Sequence, residues 1–227
     1  MAKINKKGLC GGREREENSV KRRVVLYIGM SLDGYIADWT GGVGWMEGDG
    51  SQPGSEGSYP EFYRGVGAVV MGGRTYRQIV EELSPGRWPY PGKDCFVLTR
   101  RPPAKRGEAT FVDEPPARLI QRLRRQGEGD IWVCGGAEVA RQLVAADCVD
   151  RYHLSVLPVL LGEGCSLFEG LGVERRLRLV STGRYNGIAD LVYERRGGKS
   201  FIGDDKKRGF ISSLCRKNRF DIGGAVN

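Results

Sequence analysis

The sequence predicts an α/β fold: a mostly parallel sheet with helices on both faces, ending in an antiparallel hairpin. Three observations predict it. Short β-branched apolar runs alternate with amphipathic segments, most runs pass at once into Gly, Ser or Thr, and Asn186-Gly187 stands between two strand-like runs near the end. Continuous Val, Ile and Leu runs mark strands covered on both faces, and alternation with helical segments marks parallel pairing.

Taken in order, strands are expected at Val24–Met30, Ala68–Met71, Cys95–Leu98, Ile131–Cys134 and Tyr152–Val159. Helices are expected at Thr75–Leu83, Ala117–Arg125 and Glu138–Ala146. The second is opened by Pro115-Pro116 and sets Leu119, Ile120 and Leu123 against Arg118, Arg122 and Arg125. That division is an apolar stripe facing a core, with a charged back. The third turns Val139, Leu143 and Val144 inward. Leu177–Val180 and Ile188–Tyr193 flank Asn-Gly, whose two residues tolerate the positive φ of a type I′ turn, so they form the hairpin. Gly41–Ser58, with seven glycines and one proline, is a long loop, and such loops in compact domains are functional or mobile.

Composition narrows the class. With 40% hydrophobic and 28% charged residues in a chain of 227, there is room for one filled core, and no apolar run is long enough to span a bilayer. The net charge of +8 resides in the ends: residues 1–23 hold 8 basic and 3 acidic side chains, and residues 197–227 hold 7 and 3. A near-neutral body between basic tails lacks the footprint of a nucleic-acid-binding domain. The expected division is therefore a tail over 1–22, one domain over 23–196 and a second tail over 197–227. The basic N-terminus has no apolar stretch behind it, which argues for a cytoplasmic protein rather than a secreted one. The six cysteines form no C-x-x-C pair and His153 is the only histidine, so neither a zinc site nor any other metal site is expected. His153 itself reads as a packed or surface residue, on the face opposite Tyr152, Leu154 and Val156.

Three strand ends carry residues suited to phosphate. Val69-Val70-Met71 passes into Gly72-Gly73-Arg74-Thr75, and Ile131–Cys134 into Gly135-Gly136-Ala137-Glu138, each opening a helix. Free N–H groups at a helix start favour anions, and glycine lets the backbone approach a pyrophosphate. Phe96-Val97-Leu98 passes into Thr99-Arg100-Arg101, a cationic end. Gathered at one edge of a parallel sheet, the three describe a dinucleotide site with added positive charge.

The first strand leads into Ser31-Leu32-Asp33-Gly34 with Ile36-Ala37, and the long loop holds Gly44-Trp45-Met46. This ordered set, with Leu157-Pro158-Val159-Leu160-Leu161-Gly162-Glu163-Gly164 further on, resembles the dihydrofolate-reductase-like superfamily. Within it, the resemblance is to the family of the reductase domain of the bifunctional riboflavin-biosynthesis deaminase-reductase, and it covers about residues 23–196. It implies an NADPH-dependent reductase, usually a homodimer, acting on a small molecule. By the same resemblance Gly72, Gly73, Arg74 and Thr75 hold the adenosine side and its phosphates, while Thr99 and Arg100 sit near the 2′-phosphate, with Arg101 beside them. Gly135, Gly136, Ala137 and Glu138 line the pyrophosphate turn. Gly29, Ile36 and Ala37 border the nicotinamide, and Ser31 and Trp45 face the substrate. Asp33 is the expected catalytic group, ahead of Glu47 and Asp49.

Two departures bear on the substrate. Tyr35 stands where riboflavin-pathway reductases typically have Lys, and Met46-Glu47-Gly48-Asp49 stands where dihydrofolate reductases carry Leu-Pro-x-Asp/Glu. The expectation is hydride transfer to a pterin- or pyrimidine-like heterocycle. Reduction of 5-amino-6-(5-phosphoribosylamino)uracil comes first, dihydrofolate reduction second, and a non-catalytic NADPH-binding protein is the alternative of another class.

Overall fold

The computed structural model describes residues 22–104 and 107–196. Of the two basic tails expected from the sequence, residues 1–21 and 197–227, with Cys10 and Cys215, lie outside the described residues, whereas Arg22, placed in the first tail, is buried and donates to the Gly129 and Gln126 carbonyls. Among those described, no helix is long and apolar enough to cross a membrane.

The chain begins with β1 (Val24–Ser31) and the short β2 (Tyr35–Ala37), then crosses the long loop to α1 (Tyr59–Arg64). β3 (Val66–Gly72) feeds α2 (Gly73–Gln78), whose helix continues as a π turn over Ile79–Leu83. β4 (Asp94–Leu98), β5 (Thr110–Val112), α3 (Pro116–Leu123) and β6 (Asp130–Gly135) follow. α4 (Ala137–Ala145), β7 (Arg151–Leu157), β8 (Cys165–Ser166), β9 (Leu177–Tyr185) and β10 (Ile188–Arg195) complete the order. Eight strands form one sheet in the order β5-β4-β3-β6-β1-β7-β10-β9. The first six run parallel, and β10 and β9 add the antiparallel hairpin. β2 and β8 pair separately.

Alternation divides each central strand between two cores. Val24, Leu26 and Ile28 of β1 face α3 and α4 with Val70, Val133 and Leu143. Val25 and Tyr27 face α1 and α2 with Val69, Met71 and Trp132. The second core is aromatic: Tyr27 stacks on Phe62 with centroids 4.4 Å apart, and the Trp132 ring meets Tyr27, Tyr59 and Phe62 edge-on or nearly so. The buried indole N–H has a partner, because Trp132 Nε1 donates to the Tyr27 carbonyl at 2.9 Å.

The expected strands and helices are present, with boundaries that follow local chemistry. β7 stops at Leu157, before Pro158. The hairpin is longer than the apolar runs suggest, since β9 reaches Tyr185 and the turn is Asn186-Gly187, both at positive φ. α1, β2, β5 and β8 have no counterpart in the sequence reading, because each is too short to show a period. α3 buries Leu119, Ile120 and Leu123 as expected, while Arg122 on its back pairs with Glu114.

Leu119 is fully buried in the α3–α4 layer. Leu119→Ala is expected to lower unfolding free energy by about 2–5 kcal/mol, the usual cost of a truncated core leucine. Urea denaturation checks this, and a loss within about 0.5 kcal/mol would contradict the packing described.

Candidate functional site

Because β3 lies between β4 and β6, the three phosphate-suited turns leave the sheet side by side at its C-terminal edge. Gly72 pairs with Leu98, and Met71 with Gly135. The approach is close. A Cβ on Gly73 would lie 3.0 Å from the Thr99 side chain, and one on Gly136 would lie 3.2 Å from Thr75 Oγ1. Gly135 has φ 133°, a conformation L side chains rarely adopt, and the Gly135–Gly136 peptide is cis. Gly72, Gly73, Thr75, Thr99, Gly135 and Gly136 are thus brought to one place.

The electrostatics of that edge favour an anion. α4 begins at Gly136 without a side-chain cap, which leaves its first backbone N–H groups available. Ala137 is buried and contributes backbone only, whereas Glu138 is exposed and accepts a bond from Gln142, one turn on. Arg74, Arg100 and Arg101 are exposed, and none of the ion pairs among the described residues includes them. Arg101 N donates to Thr99 Oγ1 at 3.1 Å, which shapes the cationic turn after β4. These residues fit a dinucleotide carrying an extra phosphate: glycines where side chains would collide, helix-start donors, and guanidiniums outside the ion pairs of the described residues.

The turn after β1 has a different character. Ser31 is fully buried; its hydroxyl donates to Asp33 Oδ1 at 2.6 Å and accepts from Tyr35 N at 2.9 Å. The Asp33 carboxylate also accepts from Leu161 N at 3.1 Å and Gly162 N at 2.7 Å. Asp33 therefore ties the loop after β7 to the turn after β1. The Ser31 hydroxyl, with the Gly162 and Leu161 amides, holds its carboxyl below the ordinary value. Ile36 is buried, and Ala37 pairs with Cys165.

Above Gly29 stands Met46, whose sulfur would lie 3.8 Å from a Cβ there, while Trp45 Nε1 donates back to the Gly42 carbonyl. A Cβ at Gly29 would come closer still to Leu157, at 3.3 Å. Asp49 accepts from Ser51 N within its own turn, and the Ser51 side chain, then its backbone N–H, hold the Asp49 carboxyl below its ordinary value. Three ties hold the long loop: Gln78 Nε2 to the Gly41 carbonyl, Asp49 N to the Asn186 carbonyl, and Gln52 and Asn186 bonding each other's backbone N–H. Between Asp38–Gly41, Arg74, Gln78 and Glu163 lies an open cleft of about 650 Å³.

A second polar centre was not legible in the sequence. Ser58, His153, Ser155 and Asp190 meet on the face of the sheet covered by α1. Ser155 donates to Asp190 Oδ1 at 2.7 Å, and Ser58 donates to Asp190 Oδ2. His153 Nε2 is 3.0 Å from Ser58 Oγ and 3.4 Å from Asp190 Oδ2, and the Tyr27 hydroxyl is 3.2 Å from Ser58 Oγ. Ser58 has one proton, given to the carboxylate, so its oxygen accepts from the others and His153 carries hydrogen on Nε2. Burial pushes the Asp190 carboxyl up, and the bonds from His153, Ser155 and Ser58 more than offset it, leaving it below its ordinary value. The arrangement is not a nucleophile–base–acid relay, because one imidazole nitrogen faces both oxygens. Ser58-x-x-Glu61 reads as a capping box, yet Ser58 makes no side-chain cap at α1. Its hydroxyl forgoes a bond worth about 1 kcal/mol to serve Asp190 instead. Among the described residues no group of acids, histidines or cysteines could hold a metal, and Cys95, Cys134, Cys148 and Cys165 are free.

The family model of the RibD C-terminal domain matches residues 22–187. The chain belongs to that family. An uncharacterized protein of Bacillus subtilis, YwjB, is 36% identical over 180 residues, covering 78% of this chain and 99% of its own. A second, YyaP, is 24% identical and covers 79% and 98%. Among solved structures, a putative riboflavin biosynthesis protein from Shewanella sp. PV-4 superposes with TM-score 0.68 at 24% identity, covering 77% of this chain and 99% of that one. A diaminohydroxyphosphoribosylaminopyrimidine deaminase/5-amino-6-(5-phosphoribosylamino)uracil reductase from Thermotoga maritima gives TM-score 0.57 at 16% identity, over 78% and 57%. The chain's mostly parallel sheet with its C-terminal hairpin is the dihydrofolate-reductase-like fold of RibD reductase domains.

Asp33 supplies a pH-dependent tether. With its folded pKa below the ordinary 3.8, the tether is fully made above that value and is lost as pH falls through the lower folded value. At neutral pH, Asp33→Asn is expected to speed amide exchange at Leu161 and Gly162 while core amides of β1 and β6 keep their protection. Unchanged exchange at both amides would contradict the tether.

Proposed function

We propose that the chain is an NADPH-dependent reductase that transfers hydride to a pterin- or pyrimidine-like heterocycle. Among named reactions, reduction of 5-amino-6-(5-phosphoribosylamino)uracil in riboflavin biosynthesis is the first candidate and dihydrofolate reduction the second. The observation that carries the reading is the convergence of Gly72-Gly73, Thr99-Arg100-Arg101 and Gly135-Gly136 at one sheet edge, with guanidiniums outside every ion pair among the described residues. Membership of the RibD C-terminal domain family supports the same class of activity. A cytoplasmic homodimer belongs to this reading; the exposed edge strand β9, with Leu179 and Val180 half-exposed, supports a further contact there.

NADPH, when bound, supplies the hydride. The protein's part is to hold and orient. Gly136, Ala137 and the first turn of α4 hold pyrophosphate oxygens with backbone N–H groups, and Arg74 and Thr75 close on the adenosine side. Thr99, Arg100 and Arg101 take the 2′-phosphate, for which a planar, permanently charged fork is suited. Gly29, Ile36 and Ala37 border the nicotinamide, and Met46 with Trp45 excludes water from the reacting face. Asp33, through the Ser31 turn, fixes the end of β1 against which that ring lies.

Arg100→Ala is expected to weaken NADPH binding about tenfold, the size of one charge-assisted hydrogen bond, and to leave NADH nearly unaffected. Paired calorimetric titrations check this. Equal loss for the two nucleotides would overturn the assignment of the 2′-phosphate site.

A further inference from the structure

The open cleft of about 650 Å³ adjoins the border assigned to the nicotinamide. Ala37, on that border, pairs with Cys165, and both Cys165 and Asp38 line the cleft. Arg74, from the first phosphate-suited turn, lines it as well. A dinucleotide laid along the turns has this cleft beside its nicotinamide end, where the substituent of an acceptor ring leaves the reacting face.

The charges of the cleft are unequal. Asp38, Glu81, Glu82 and Glu163 stand against Arg74 and Arg77. In the reading above Arg74 serves the cofactor. Arg77 is followed one turn later by Glu81 and Glu82, which offset its field from the same helix. The Thr40 hydroxyl, then the Gly42 N–H, hold the Asp38 carboxyl below its ordinary value, so its charge persists. Glu163 is placed by tethers on the residues before it: Asp33 accepts from the Leu161 and Gly162 amides, and the Tyr35 hydroxyl donates to the Gly162 carbonyl at 3.2 Å. Neither Glu81 nor Glu163 belongs to an ion pair among the described residues. A phosphate dianion entering the cleft meets an excess of negative charge and has no hydrogen to give a carboxylate, whereas a hydroxyl has one.

We propose that this cleft receives the substituent of the acceptor and selects one that is hydroxylated and carries no phosphate. The acceptor class is then a pyrimidine- or pterin-like heterocycle with a neutral sugar or sugar-alcohol tail, which places the dephosphorylated uracil ahead of its 5-phosphoribosyl form. The inference rests on the reductase reading and narrows its acceptor.

Trp39 stands exposed at the cleft, so its indole N–H signal in a nitrogen-15 correlation spectrum, identified among the four tryptophans with Trp39→Phe, reports on occupancy. Uridine and uridine 5′-monophosphate share ring and sugar and differ by the phosphate alone. With NADPH present at low salt, uridine at millimolar concentration is expected to move the Trp39 signal to saturation, and the monophosphate to bind about tenfold more weakly. Raising the salt to about 0.5 M is expected to narrow that gap to about twofold. Glu81→Gln combined with Glu163→Gln is expected to narrow it similarly at low salt. A monophosphate that binds the unaltered protein as tightly as uridine or more tightly, or a Trp39 signal unmoved by both, overturns the proposal, and neither result depends on the variant folding. Calorimetry with NADPH on the same sample separates the two readings. Preference for uridine without NADPH binding brings down the reductase reading and leaves the selection by the cleft standing, while NADPH binding with the monophosphate preferred brings down the proposal alone.

Discussion

The insertion of β6 between β1 and β3 is the constraint on which the rest of the structure depends. β6 comes late in the chain, yet it hydrogen-bonds β1 on one side and β3 on the other. That placement sets Gly135 beside Ile28 and Gly136 beside Thr75, positions a sequence gap of more than fifty residues would otherwise leave unrelated. It is enforced by burial on both faces. Ile131 and Val133 fill the α3–α4 layer while Trp132 fills the α1–α2 layer, so a one-residue slip would turn the indole into the aliphatic core. The indole N–H bond to the Tyr27 carbonyl pins the register a second time.

A rigid sheet edge and a tethered loop then divide the work. The phosphate-suited turns sit on strand ends and helix starts, where backbone positions are fixed by the sheet. The segment that covers Gly29 is a glycine-rich loop, held at a few points by Gln78, Asn186 and Ser58. A few hydrogen bonds at its ends and middle allow such a segment to open without disturbing the sheet. Asn186 links the loop to the hairpin tip, and Asp190 on the same hairpin accepts from Ser58 at the loop's end, so the hairpin holds the loop at two points.

Much of the architecture was legible in the sequence. The buried strands announce themselves as Val and Ile runs, α3 by its Leu119–Leu123 stripe, and the hairpin by Asn186-Gly187. The glycine turns were legible as turns, and their convergence followed from parallel pairing. Other features were not. α1 is six residues long and contains Pro60, so it carries no period. The Ser58–Asp190 bond joins residues 132 apart, and a hydroxyl in a capping position gives no sign that it serves a distant carboxylate. His153 read as a packed or surface residue, and it is buried; its partners come from α1's start and from β10, which only the tertiary fold brings together. Trp45 was expected to face the substrate from the long loop; its indole N–H donates to the Gly42 carbonyl within that loop, a local bond that the sequence does not announce.

The central claim is that the clustered glycine turns and the exposed arginines beside them form a site for a 2′-phosphorylated dinucleotide. Calorimetric titration of the unaltered chain with NADPH, and separately with NADH, tests it most directly. The account predicts saturable NADPH binding and much weaker NADH binding, because only NADPH presents the phosphate that Thr99, Arg100 and Arg101 are placed to take. Binding of neither nucleotide would contradict it, and would mean that the turns do no more than connect strands to helices.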